Sequence, residues 1–128
     1  MNYFQSTFSN VSVAQGGDAT IELAIFDGNN VVDLSIVEDI KGTITYKGYE
    51  LSKMSLVPEV GYLPLTIKDN ALNKHIIVMS LTRDITKLYP VGGLDVEFTV
   101  KYDLTTYKTF SFKNGLYMIE TKNKNINF

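Results

Sequence analysis

Residues 18–34 read DATIELAIFDGNNVVDL, directly after Gly16-Gly17. Ala19, Ile21, Leu23 and Ile25 fall on one side of an extended chain, and Thr20, Glu22 and Ala24 on the other. Period-two alternation of this kind marks a strand with one buried face. The pattern breaks at Asp27-Gly28-Asn29-Asn30 and resumes at Val31-Val32-Asp33-Leu34. Asp-Gly between apolar runs signals a hairpin, and four turn-forming residues in a row predict a loop longer than two residues. The stretch therefore reads as a strand, a turn and a returning strand.

The same grammar extends in both directions. Upstream, Val11–Ala14 is a short strand, and Gln15-Gly16-Gly17 a turn. Downstream, residues 35–39 allow a single helical turn capped by Ser35, with Glu38 three positions on, or a plain loop. Residues 41–46 alternate weakly, Lys47-Gly48 interrupts them, and residues 49–56 are ambiguous. Residues 62–67 alternate again, but Pro64 demotes them to an edge strand or extended loop, because proline donates no ladder hydrogen bond. Residues 74–81, KHIIVMSL, carry a continuous apolar run that predicts burial on both faces. In residues 82–89 the positions of Ile85, Leu88 and Tyr89 suit one or two helical turns, stopped by Pro90 and Gly92-Gly93.

Residues 94–102 alternate most cleanly. Leu94, Val96, Phe98, Val100 and Tyr102 face one way; Asp95, Glu97, Thr99 and Lys101 face the other. Asp103-Leu104-Thr105 turns the chain into a returning strand over 106–112. Lys113-Asn114-Gly115 is a further turn, and 116–120 a last strand. Seven or eight short strands with at most a short helical turn predict an all-β, immunoglobulin-like antiparallel sandwich. The expected organisation is an N-terminal arm over residues 1–9, a sandwich over 10–120, and a mobile polar tail over 121–128.

Totals narrow the function. The chain has 128 residues, 45% of them hydrophobic and 20% charged, which fits one globular domain. A net charge of -2 supplies no basic excess for a phosphate backbone, so nucleic acid is a disfavoured partner. With no cysteine there is neither a disulfide nor a thiolate ligand. No apolar run approaches the roughly 20 residues a membrane-spanning helix needs, and residues 1–5 lack a signal-peptide pattern, so no membrane partner is expected.

Motifs for chemistry are sparse. His75 is the only histidine and reads as structural or surface. Asp27-Gly28-Asn29-Asn30 lacks the acidic ladder of a calcium loop and is explained by a turn. Neither glycine pair is followed by the lysine of a phosphate loop. No catalytic, cofactor-binding or metal-binding residue is assigned, and no cofactor is expected. Tyr46, Tyr49, Tyr102, Tyr107, Phe110 and Phe112, with Lys47, Lys101 and Lys108 nearby, could stack single-stranded nucleic acid or sugars. They equally suit strands and sheet edges. Partner contacts are expected in the terminal segments, at Tyr3, Phe4, Phe8, Ile126 and Phe128.

The segments GGDATIELAIFDGNNVVDL (16–34) and SLTRDITKLYPVGGLDVEFTVKYDLTTYKTFSF (80–112) resemble the N-terminal immunoglobulin-like domain of phage baseplate upper proteins and related tail-fibre adaptor modules. The likeness rests on the Gly17-Asp18 turn before a strand, the Val32-Asp33-Leu34 end of a hairpin, and the run from Leu81-Thr82 through a glycine turn to Phe112. It spans about residues 16–119. Such modules head longer chains, whereas this one stops at Phe128. The resemblance implies a stand-alone, non-enzymatic virion component: a baseplate or fibre adaptor, a head-fibre base or a capsid decoration protein. It further implies other virion proteins as partners, homo-oligomeric and often threefold assembly, synthesis in the host cytoplasm and residence in the virion. The alternative from the residues is a binding module for single-stranded nucleic acid or carbohydrate.

Overall fold

The computed structural model describes residues 11–68 and 72–128, together with the backbone of Phe4–Gln5. Among the described residues, eleven strands follow in chain order. β1 is Phe4–Gln5, β2 Val11–Ala14, β3 Ala19–Ala24, β4 Phe26–Asp27 and β5 Asn30–Val31. Then come β6 (Asp39–Tyr46), β7 (Tyr49–Ser55), β8 (Leu63–Ile67), β9 (Ile76–Leu81), β10 (Gly92–Lys101) and β11 (Tyr107–Ile119). A one-turn helix, α1, spans Arg83–Thr86 between β9 and β10.

Eight strands pair in the order β2-β11-β10-β6-β7-β8-β9-β3, and β1, β4 and β5 form a small separate sheet. The long order folds over at β7–β8, which pair in parallel at only two positions, Met54↔Leu63 and Ser55↔Pro64. From Leu65 onward β8 pairs antiparallel with β9 instead. Pro64 therefore sits at an edge, as expected, paired with Ser55 on one side only, where the strand passes from one leaf to the other. Its missing N–H falls where a continuous ladder ends.

Inner side chains of both leaves meet in one cluster. Ile21, Leu23, Leu65, Ile77, Met79 and Leu81 come from one leaf, and Ile40, Ile44, Leu94, Val96, Phe98, Phe110 and Met118 from the other. The architecture is therefore an immunoglobulin-like β-sandwich. It is antiparallel except for β7–β8 and for β2, which lies parallel to the end of β11.

Period-two alternation holds best where one leaf face is wet. In β10 every second residue from Leu94 to Val100 is buried, while Asp95, Glu97 and Thr99 stay accessible. β9 departs from its expectation of burial on both faces. Ile77, Met79 and Leu81 are buried, Ile76 and Val78 are half-buried, and Ser80 is exposed.

The opening stretch also differs from its expectation. β3 is not the first arm of a long hairpin; it pairs along its whole length with β9, from Ala19↔Leu81 to Ala24↔Ile76. The return is only Asn30–Val31, and the loop before it is shorter than expected. Asp27↔Asn30 pairing leaves a two-residue turn, Gly28-Asn29, with Gly28 at φ 63°. A primed turn with glycine first matches strand twist, so two residues suffice. The following 3-10 turn, Leu34–Ile36, is capped by Asp33 and not Ser35: Asp33 Oδ1 accepts the Ser35 N–H at 2.9 Å. An aspartate just before the turn reaches its free N–H groups, whereas Ser35 already lies inside it.

Residues 113–115 do not separate two strands. β11 is continuous, and its register against β10 jumps from Val96↔Phe112 to Leu94↔Leu116. Three residues on β11 oppose Asp95 alone, which is an enlarged bulge. Asn114 takes the left-handed conformation, at φ 54°, and its N–H is held by Asp95 Oδ1 at 2.8 Å.

The β10–β11 turn is pinned by Asp103. Its Oδ1 accepts the Thr105 and Thr106 N–H groups at 2.9 and 2.8 Å, and the Thr105 hydroxyl at 3.1 Å. These donors, the Thr105 amide foremost, hold the carboxyl below the ordinary aspartate value. A lowered folded pKa adds stability at pH above the ordinary carboxylate value, and that stability is lost as pH falls through the folded pKa. The Thr105 and Thr106 amide resonances should accordingly titrate with a midpoint below that of aspartate in an unstructured peptide. A midpoint at or above that value in an NMR pH series would contradict the turn geometry.

Candidate assembly site

At one end of the sandwich four pieces of chain converge: the β2–β3 turn, α1, the approach to β10, and residues 121–128. Gln15, buried, is the hub. Its N–H bonds the Ile119 carbonyl at 3.0 Å, and its Nε2 donates to the Tyr89 carbonyl at 2.6 Å. Its carbonyl accepts the Thr121 hydroxyl at 2.6 Å, and its Oε1 accepts Lys124 Nζ at 3.2 Å. A buried amide with both ends satisfied fixes the chain on either side of it.

α1 is too short to stand alone and is held by its neighbours. Thr82, at the cap position, makes no side-chain cap hydrogen bond; Asp18 Oδ1 accepts the Arg83 N–H instead, at 2.7 Å. The buried Thr86 hydroxyl donates to the Gly17 carbonyl at 2.8 Å and accepts the Gly16 N–H at 3.1 Å. Tyr89, also buried, shares a hydrogen bond with Ser52 of β7 at 2.5 Å. Burial pushes its hydroxyl pKa up, against the opposing effect of Ser52.

Arg83 then closes the end of the domain. One arm of its guanidinium donates to the Gly16 carbonyl at 2.6 Å. The other donates to the carbonyls of Ile126 at 2.6 Å, Asn123 at 3.1 Å and Lys124 at 3.4 Å. The Phe128 ring lies 5.4 Å from the guanidinium carbon. A planar fork with five donors can span several carbonyls at once, which a lysine cannot. Gly16 must be glycine for this approach. It sits at φ 82°, and a Cβ there would come within 2.7 Å of the Lys124 Cα.

Within the segment 121–128, residues Thr121, Asn123, Lys124 and Ile126 hydrogen-bond to Gln15 or Arg83, with a 3-10 turn at Asn123–Asn125. Of the expected contacts, Ile126 is 44% exposed and Phe128 fully exposed on this anchored segment. Tyr3, Phe8 and the side chain of Phe4 lie outside the described residues; the backbone of β1 pairs with β4, Phe4↔Asp27 and Gln5↔Phe26. No sequence signal pointed to Arg83 or Gln15.

The six aromatics proposed as a stacking platform do not share a face. Phe110 and Phe112 are in the core, Tyr46 and Tyr102 are half-buried, and only Tyr49 and Tyr107 are well exposed. His75 packs its ring against Phe26, centroids 5.3 Å apart. Among the described residues there is no group of three or more metal-ligating side chains, and no helix is long and apolar enough to cross a membrane.

No family model and no curated protein matches the chain. Among solved structures, a chain from a study of T-cell specificity and activation by the bacterial superantigen toxic shock syndrome toxin-1 superposes with a TM-score of 0.50. It is 11% identical, and the match covers 93% of this chain and 100% of that one. This likeness concerns the fold alone. Two looser matches are a chimeric titin Z1Z2 (TM-score 0.43, 12% identity, 94% and 99% covered) and the N-terminal Ig1-2 module of the Drosophila receptor protein tyrosine phosphatase DLAR (0.42, 11%, 93% and 50%).

Proposed function

We infer that the chain is a non-enzymatic assembly module of a bacteriophage virion: a baseplate or fibre adaptor, head-fibre base or capsid decoration protein. It acts by protein–protein contact, including contact with copies of itself. The observation that carries this reading is the C-terminal segment, hydrogen-bonded to Arg83 as far as Ile126, which presents Ile126 and Phe128 to solvent. A pre-ordered apolar contact loses little conformational entropy on binding. An exposed aromatic held in place is therefore better suited to a partner than a frayed end would be. The phage setting is supported by the resemblance of residues 16–34 and 80–112 to baseplate upper modules.

Mass spectrometry and immunoelectron microscopy of density-purified phage particles test the reading. The protein should be found in mature particles at a fixed ratio to the major capsid or tail subunit. Its absence from particles, with abundance in the infected lysate, would overturn it.

A further inference from the structure

The outer face of the β7-β6-β10-β11 leaf carries two linked depressions of about 250 and 310 Å³. They share Lys41 and Thr99. Beyond these, the first is lined by Thr43, Lys53, Tyr62 and Glu97 among others, the second by Lys101 and Tyr107. Together they form a groove running across the strands from Tyr62 to Tyr107. We propose that this groove binds a short neutral glycan.

The backbone cannot be what recognises a ligand here. β6 is paired on both sides, by β7 and β10, and β10 is paired by β6 and β11. Strand addition by a peptide needs a free edge, so any ligand must be read by side chains. Those side chains are hydroxyls, amines and carboxylates together, the donor and acceptor mixture that suits a polyhydroxylated chain.

Two of the three lysines lining the groove are paired with carboxylates. Lys41 is ion-paired with Glu59 and lies 4.0 Å from Asp39, and Lys101 pairs with Glu38 at 3.4 Å. Glu97 adds a further negative charge in the groove. That balance disfavours a phosphate backbone, which needs uncompensated lysine or arginine.

The donors are also pre-positioned. Lys41 and Lys53 both sit over the Tyr62 ring, at 4.3 and 4.8 Å from its centroid. Cation–π contact holds their ammonium groups at the groove wall. The Thr99 and Thr109 hydroxyls bond each other at 2.9 Å, and Ser111 bonds Glu97 at 3.4 Å. At the other end Tyr107 is 57% exposed, leaving its ring free to stack against the C–H face of a sugar.

The test is an NMR titration of the full chain with four separate probes: the hexamers of cellulose, amylose, laminarin and chitin. A thymidine oligonucleotide forms a fifth arm. At least one glycan should shift the amides of Thr43, Thr99 and Tyr107. Tyr107→Ala should weaken that binding roughly tenfold without changing the melting temperature. The proposal is overturned if no glycan shifts these amides, if the shifts map elsewhere, or if the oligonucleotide binds this face at physiological salt and the glycans do not. This groove lies apart from residues 121–128, so Tyr107→Ala leaves self-assembly unchanged, and failure here does not bear on the assembly reading.

Discussion

Leu23→Asp should leave the protein unfolded or insoluble. Leu23, next to last in β3, is 2% exposed and faces the shared core with Ile21 and Ile25. Truncating such a leucine costs about 2–5 kcal/mol from lost burial and the cavity left behind. An aspartate adds the cost of a buried carboxylate with no cation in the core to pair with it. Domains of this size are stable by only about 5–15 kcal/mol, so the sum removes most or all of the margin. Circular dichroism and solubility measure the result. Leu23→Met, which conserves volume, should remain folded with a loss below about 1.5 kcal/mol. A soluble, cooperatively melting Leu23→Asp variant would show that β3 buries its other face.

Arg83→Ala should free residues 121–128 and destabilise the whole domain by about 3 kcal/mol, since bonds from charged donors contribute more than neutral ones. The melting temperature should fall by roughly 10 °C. All the guanidinium bonds from Gly16 to Ile126 are lost together, while the Thr121 and Lys124 contacts to Gln15 remain. Trypsin should then cut at Lys122 and Lys124 faster than in the native chain. Arg83→Lys should not restore protection, because one ammonium cannot reach across both sides of the clamp. Unchanged cleavage in Arg83→Ala would mean that the segment is held by other contacts.

The strands were legible in the sequence where burial is one-sided. β10 is the clearest case: Leu94 through Val100 could face only one way without burying Glu97. The partner of β3 was not legible. Asp27-Gly28 pointed to a local hairpin, but six residues of β3 find their ladder in β9, more than fifty positions away. Side-chain alternation fixes which face is inward; it carries no record of which strand supplies the hydrogen bonds.

The bulge at 113–115 was visible as turn chemistry, since asparagine and glycine accept left-handed backbone. What the local sequence lacked was Asp95, the distant acceptor that keeps those residues within one strand. The clamp was the least legible feature. The Arg83 guanidinium hydrogen-bonds main-chain carbonyls, and every residue has one, so no residue type at 123, 124 or 126 announces it. Ile126 and Phe128 were identifiable as apolar residues in a polar tail, but their fixed presentation depends on that clamp.

We propose that the anchored segment makes contacts between subunits. Sedimentation velocity of the native chain beside the Ile126→Ser, Phe128→Ser double variant measures this. The native chain should sediment as a closed oligomer, threefold if the phage resemblance holds, and the variant as a monomer with an unchanged melting temperature. A native chain that stays monomeric, or a variant that assembles as well as the native chain, would mean that this segment does not join subunits.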